Sequence, residues 1–396
     1  MRLLVVAPRL PWPLDKGDRL TVHNLVRHLS RNHEVALVCF LEPGQSSEDA
    51  RHVGEYAARV DLVPLDRRTA TLRAGAGLVT RSPLQVRYYR SRSMRDTVRR
   101  VADEFRPDVL YAHTIRTAEY VAGDPRPTVL AMQISMTLNY RRLAAFARNP
   151  LWKALYTIES RRSRAYEPAA ARRFDLCLLI SEADVAALGD RPPNVMINPH
   201  GVDYAYFTRA PGSVPEPGSI VFTGNMAYPP NIDAAEWFVE EMLPSVLERV
   251  PHAWLSIVGT DPHRRVRALG GHPAVAVTGR VPDMRPYLER AAVGIDPLRI
   301  GAGLQNKVLE GLSMGLPMVI TSTANEGIGA VPGEEVLVAD DPPAFADEVV
   351  RVLTDGGLAR DLGARGRAFI VGRWSWEAHF EDLERALERL AGQPKR

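Results

Sequence analysis

The chain has 396 residues, enough for two domains that each bury a full core. Its composition, 45% hydrophobic and 24% charged, is that of an ordinary globular protein. No apolar run reaches the roughly 18 residues that would cross a bilayer, only Cys39 and Cys177 are present for disulfides, and no His/Cys cluster has zinc-ligand spacing.

The opening run MRLLVVAPRLPWP is short and broken by prolines, so it reads as a first strand and not as a secretory signal. Both cysteines lie in apolar, strand-like runs, which predicts buried free thiols in a reducing cytoplasm. The net charge is only +3 but uneven. Between Arg67 and Arg100 stand ten arginines and one acid, Asp96, a segment expected to attract an anionic partner.

Short apolar runs alternate with amphipathic stretches along the whole chain. In the first half the runs are Leu3–Ala7, Val35–Leu41, Val60–Leu65, Asp108–Ala112, Thr128–Met132, Asp175–Ile180 and Val195–Asn198. In the second they are Ile220–Thr223, Trp254–Val258, Val275–Thr278, Val293–Pro297, Met318–Thr321 and Val336–Val338. Many are Val/Ile/Leu-rich and apolar on successive residues, as strands buried on both faces of a parallel sheet are. Helical patterns such as Leu20–Leu29 and Ala234–Val250 separate them. The alternation predicts βαβ units and an α/β fold of two doubly wound, Rossmann-like domains facing a cleft. The Pro/Gly/Ser-rich segment 207–218 is the expected linker. It leaves an N-terminal domain over 1–206 and a C-terminal domain over 219–375. A final helix over 376–396 is a candidate to pack back on the first domain.

The stretch PLRIGAGLQNKVLEGLSMGLP, Pro297–Pro317, carries the most chemistry. A strand ends, a turn with Gly301 and Gly303 follows, and a helix begins whose unpaired N–H groups and dipole favour an anion. Lys307 and Glu310 share one helix face. The lysine suits a pyrophosphate, and the carboxylate, one turn on, suits the two hydroxyls of a ribose. The competing reading is a surface ion pair between them. Gly17, where the first loop turns into a helix, permits close approach of a phosphate or sugar. His113 ends a buried strand and is a candidate to hydrogen-bond a donor sugar or shield its charge. Gly224 and Asn225 follow the run Ile220–Thr223, and Arg280 with Val281 follow the run Val275–Thr278, as candidates to hold a nucleotide and its base. The chain has no G-x-G-x-x-G, P-loop, G-x-S-x-G or H-E-x-x-H. No D-x-D pair is placed to bridge a metal to a diphosphate, so neither a metal nor a cofactor is expected.

In their order along nearly the whole chain, PRLPWPLDKGDR, RPDVLYAH, INPHGVD, FTGNMAYPPNID, VTGRVPDMRPYL and GAGLQNKVLEGLSMGLP resemble the retaining glycosyltransferases of family 4, with the GT-B fold. More narrowly, DKGDR, YPPNIDAAEWF, TGRVPDMRPYL and QNKVLEGLSM resemble the sugar transferases of PEP-CTERM/exosortase exopolysaccharide systems. The resemblance implies metal-independent transfer from a nucleotide-diphosphate sugar to a glycan or lipid-linked acceptor, with retention of configuration. It implies that Glu310 holds the donor ribose and His113 contacts the donor sugar. Ala302 stands where the family carries a first acid, and Asn225 where it carries a basic residue, which leaves Lys307 to supply the phosphate charge. The stretch MQISMTLNY, Met132–Tyr140, lacks the Asp-rich pattern of the narrower group, which points to an altered acceptor side. The rivals are a non-catalytic nucleotide-sugar binder, motivated by Ala302 and Asn225, and a GT-B epimerase. Nucleic-acid binding is not expected, because the arginine run has no interleaved aromatics beyond Tyr88 and Tyr89. The expected location is cytoplasmic, with the arginine run docking the enzyme on the inner face of the plasma membrane.

Overall fold

A computed structural model describes residues 1–14, 17–77, 80–147, 149–199, 201–301 and 304–392, without the Ala378 side chain. The chain divides into two compact units, Met1–His200 with Glu377–Arg396, and Gly201–Trp376.

The first unit holds a parallel sheet of seven strands: β1 Arg2–Ala7, β2 Glu34–Leu41, β3 Arg59–Pro64, β4 Val109–His113, β5 Thr128–Gln133, β6 Leu176–Leu179 and β7 Val195–Ile197. Their order is β3-β2-β1-β4-β5-β6-β7. The second unit holds six: β8 Ser219–Thr223, β9 Trp254–Val258, β10 Val275–Gly279, β11 Val293–Asp296, β12 Met318–Ile320 and β13 Leu337–Val338, in the order β10-β9-β8-β11-β12-β13. Every pairing is parallel, with helices between successive strands for most of the chain. All thirteen apolar runs are therefore strands, each ending within one residue of its expected bounds. The reason is burial: Leu3 to Ala7 and Val35 to Phe40 are at most 1% exposed, covered on both faces as the unbroken apolar runs require. Both sheets are Rossmann-like, and each reverses its strand order once, at β1/β4 and at β8/β11. Ligands of such sheets bind at those crevices, beyond the carboxyl ends of the strands.

One expectation about boundaries needs correction. Segment 207–218 is not a free linker but part of the second unit. The Glu216 N–H donates to the Arg290 carbonyl at 2.8 Å, that of Ala210 donates to Glu289 at 3.0 Å, and the Arg209 guanidinium reaches the Ala291 carbonyl at 3.2 Å. Proline and glycine kept it out of helix and strand without freeing it from packing. The division falls instead at Gly201, where an added Cβ would sit 2.3 Å from the Trp376 backbone nitrogen. The last helix, Trp376–Ala391, belongs to the first unit from Glu377 onward. Its Glu384 accepts from Asn32 at 3.0 Å and pairs with His28 at 3.0 Å and His33 at 2.8 Å.

The arginine run folds into the helices Arg67–Ala76, Leu84–Tyr88 and Arg92–Phe105. Of the apolar residues in this run, Val86, Tyr89 and Met94 are core and are not open to a lipid surface. The Arg92–Phe105 helix is amphipathic, and its buried residues Met94, Val98, Val101 and Ala102 pack in the core against the sheet, whereas Leu72 of the first helix stays exposed. Leu78 and Val79 lie outside the described residues. Both cysteines are buried and unpaired; burial pushes Cys177 up to about 12 and Cys39 further.

Candidate functional site

At the β8/β11 crevice the sequence builds a compact polar group. Strand β8 runs into Gly224, whose φ of 151° favours glycine and whose added Cβ would sit 2.8 Å from the Asn231 amide nitrogen. The turn is clamped from β9: a Cβ on Gly259 would fall 1.7 Å from the Gly224 carbonyl oxygen. This close approach directs the Asn225 carbonyl at Asn231, whose side-chain amide donates to it at 2.9 Å. Asn225 itself accepts from the Ala227 N–H at 2.9 Å.

Strand β11 ends in Asp296, and the Asn306–Ser313 helix begins ten residues later. Its N-cap residue, Gln305, makes no side-chain cap, so the first turn keeps the outward N–H groups that favour an anion. The Lys307 ammonium donates to Asp296 at 3.0 Å and to Asn231 at 2.8 Å, and lies 4.9 Å from the centre of the Phe222 ring. Two of its three protons are thus committed within the protein. The side chain is 9% exposed, that of Asp296 fully buried. Burial pushes the Asp296 carboxyl above its usual range, with Lys307 opposing.

Glu310 lies one turn on, half-buried and set deep among protein atoms while keeping a wet edge. Burial pushes its carboxyl up to about 7, against the pull of Lys307. The competing reading, a surface pair of Lys307 with Glu310, gives way to a buried pair of Lys307 with Asp296. Sequence reasoning passed over Asp296 and Asn231, although an acid closing an apolar strand and an amide inside YPPNID were visible signals. Gly301, with φ 155°, opens the turn before the helix; Ala302 and Gly303 lie outside the described residues. Beyond β10, Arg280 is exposed and Val281 half-buried against the core.

In the first unit the β1/β4 crevice gathers charge. Gly17 starts the Gly17–Leu29 helix, and its neighbour Asp18 occupies that helix's first turn. Asp18 pairs with Arg9 at 3.2 Å and Arg116 at 4.0 Å, so an internal anion already faces the helix start near Gly17. Burial opposes ionisation of Asp18, but the two guanidiniums outweigh it and hold the carboxyl below its usual range. His113, at the end of β4, is fully buried, and neither ring nitrogen has a partner among the described residues. Burial lowers its pKa to about 4, with Asp18 opposing. The ligand-free ring is therefore neutral at neutral pH, a form suited to hydrogen bonding.

Residues 217–355, spanning β8 to the Pro342–Thr354 helix and hence the whole polar group of the second unit, match the family model described as glycosyl transferases group 1. An uncharacterised 44.6 kDa protein of the cps region of Klebsiella pneumoniae is 21% identical over 96% of this chain and 98% of its own length. Among solved structures, sucrose-phosphate synthase from Thermosynechococcus elongatus aligns with a TM-score of 0.75 at 15% identity, over 98% of this chain and 99% of that one. Anabaena HepE in complex with UDP-glucose aligns at 0.69 and 12%, over 98% and 99%. S. aureus TarM in complex with UDP, fondaparinux and α-GlcNAc-glycerol aligns at 0.70 and 10%, over 99% and 100%. The chain therefore has the two-sheet GT-B fold, and residues 217–355 of its second unit match the model for glycosyl transferases group 1.

Proposed function

We propose that this protein transfers a sugar from a nucleotide-diphosphate donor to a glycan or lipid-linked acceptor in the synthesis of a surface polysaccharide, with retention of anomeric configuration as in family 4. The observation that carries the reading is the polar group at the β8/β11 crevice, with a glycine turn, an uncapped helix start, Lys307 and Glu310 inside one group 1 domain. The cps-region relative and the UDP-sugar and UDP complexes of the structural neighbours support donor and pathway class.

On this reading the helix start and Lys307 face the diphosphate, and Glu310 accepts hydrogen bonds from the ribose hydroxyls. Gly224 lets the donor approach the backbone, and the turn bearing Arg280 and Val281 flanks the base. Asp296 fixes the ammonium and tempers its charge. His113 is a neutral hydrogen-bonding partner for a sugar hydroxyl. The bond from anomeric carbon to diphosphate oxygen breaks as the bond to the acceptor oxygen forms on the same face, and the acceptor proton passes to the departing phosphate. Donors preorganised around the leaving group contribute several kcal/mol at the transition state.

The test is a thermal-shift screen across nucleotide-diphosphate sugars. A true donor at a hundred times its Kd stabilises the fold by about 2.7 kcal/mol, and the same compound releases its nucleoside diphosphate on addition of acceptor. Turnover should survive EDTA, because on this reading Lys307 and the helix start balance the charge of the diphosphate. A screen in which no nucleotide sugar stabilises the protein refutes the reading, and activity lost to EDTA and restored by magnesium refutes its electrostatics.

A further inference from the structure

The helices Met136–Phe146 and Pro150–Ala171 form an antiparallel hairpin on the first unit. Its base is fixed inside the protein. Glu167 accepts from the hydroxyls of Ser135 at 3.0 Å and Thr137 at 2.6 Å, and Ser160 donates to the Thr137 carbonyl at 3.0 Å. Its tip is built differently. Asn149 caps the second helix by accepting from the Leu151 N–H at 2.8 Å, and Pro150 opens the first turn, which holds the following residues out in solvent. Leu151 is 79% exposed, Trp152 54%, Phe146 45% and Ile158 44%. Four of the eleven large apolar side chains that stand exposed among the described residues thus fall on this one hairpin. Tyr156 stacks on Trp152 with ring centres 5.7 Å apart, and on Tyr140 at 6.1 Å, so an aromatic column backs the tip.

The charges around these residues are of one sign. Arg141, Lys153, Arg161 and Arg164 are exposed on the two helices. The hairpin's two carboxylates, Glu159 and Glu167, are buried and turned inward: Glu159 accepts from the Leu84 N–H at 2.8 Å and pairs with Arg162 at 2.8 Å. An apolar tip flanked by cations with no outward acid suits an anionic lipid leaflet, where Trp and Leu enter the interfacial zone and Lys and Arg meet the headgroups. A second copy of the chain suits it poorly, because a two-fold contact would set the same cations against each other.

We propose that the tip of this hairpin, Phe146, Leu151, Trp152 and Ile158 with the cations around them, docks the protein on an anionic lipid surface. The assignment moves the membrane contact away from the arginine run. There Arg90 pairs with Glu119 at 2.7 Å and Arg100 with Asp61 at 2.7 Å, so part of the charge serves the fold itself. The proposal stands on the hairpin alone and holds whatever sugar chemistry the second unit performs.

The full chain should sediment with phosphatidylcholine vesicles that contain phosphatidylglycerol, and not with phosphatidylcholine alone. The double variant Leu151→Ser, Trp152→Ser should weaken that binding by about tenfold or more, with a melting temperature lowered by at most about 4 °C, since Leu151 is in solvent and Trp152 loses only its stacking on Tyr156. Arg141→Gln with Lys153→Gln and Arg161→Gln should remove its salt dependence. Equal binding to neutral vesicles, or none to anionic vesicles at low salt, overturns the proposal. So does loss of binding on changing Arg87 and Arg92 to Gln while the hairpin variant still binds. A dimer in sedimentation analysis that Leu151→Ser, Trp152→Ser dissolves would assign the tip to a second copy and overturn it as well.

Discussion

Glu310 has one physical property that separates a ligand group from a surface acid. Its carboxyl ionises near 7 in the folded chain and near 4.3 in an unfolded one. Between those values the unfolded chain holds fewer protons, so the fold loses stability as pH rises. Glu310→Gln should therefore stabilise the free protein above neutral pH, by on the order of 1–3 kcal/mol. The same change should weaken donor binding by about 1.5–3 kcal/mol, because a charged acceptor of hydrogen bonds is lost. Wild-type donor affinity should rise between pH 6 and 8 and that of the variant should stay flat. Denaturant midpoints and donor titrations at both pH values check this; a variant less stable and equally tight in binding contradicts it. His113 carries the opposite sign. Its pKa falls to about 4 in the fold from about 6.5 unfolded, so its contribution is complete above 6.5 and is lost as pH falls toward 4. His23, also lowered to about 4 by burial, adds to that loss. His113→Gln should flatten the urea midpoint over that range to about half its wild-type slope.

Among the elements, the start of the Asn306–Ser313 helix decides most. Lys307 ties it to the end of β11 through Asp296 and to the β8 turn through Asn231. Cutting one partner of a buried pair leaves the other charge uncompensated, at a cost of about 3–5 kcal/mol. Lys307→Met should therefore lower stability by roughly that much, and adding Asp296→Leu should restore most of it. Neither variant should turn over the donor. Thermal melts of the two, read beside donor release, separate the structural share of Lys307 from its share in transfer. A Lys307→Met protein of wild-type stability would mean that the pair is loose and wet. The i,i+3 spacing was legible in the sequence; the partner of the lysine was not, since Asp296 meets it only once strand and helix are packed.

For the whole molecule, the return of the last helix to the first unit matters most. Phe380, Leu383 and Leu387 are buried there, and each such side chain contributes about 1.5–3 kcal/mol. Burial alone would raise the Glu384 carboxyl, but Asn32, His28 and His33 hold it below the usual range. A depressed acid stabilises the fold above its ordinary pKa and loses that effect as pH falls through its folded value. Glu384→Ala should release the segment after Trp376 to limited proteolysis at neutral pH, and acid should do the same to the wild type. Equal cleavage rates for wild type and variant would show that the helix is held by its apolar face only.

The alternation of buried strands and helices was fixed by the sequence alone, because a strand covered on both faces has to be apolar at every position, and that pattern survives any arrangement. The glycine turn, the helix start and the face shared by Lys307 and Glu310 were legible for the same reason: they are local geometry. Only the tertiary structure decided what each polar group meets. It paired Lys307 with Asp296, enclosed His113 until it lost its charge, docked 207–218 on the second unit and committed Arg90 and Arg100 to internal acids. It also left Leu151 and Trp152 in solvent, though their apolar character alone would have placed them in the core. Burial and pairing depend on neighbours distant in the chain, and no periodicity carries that information.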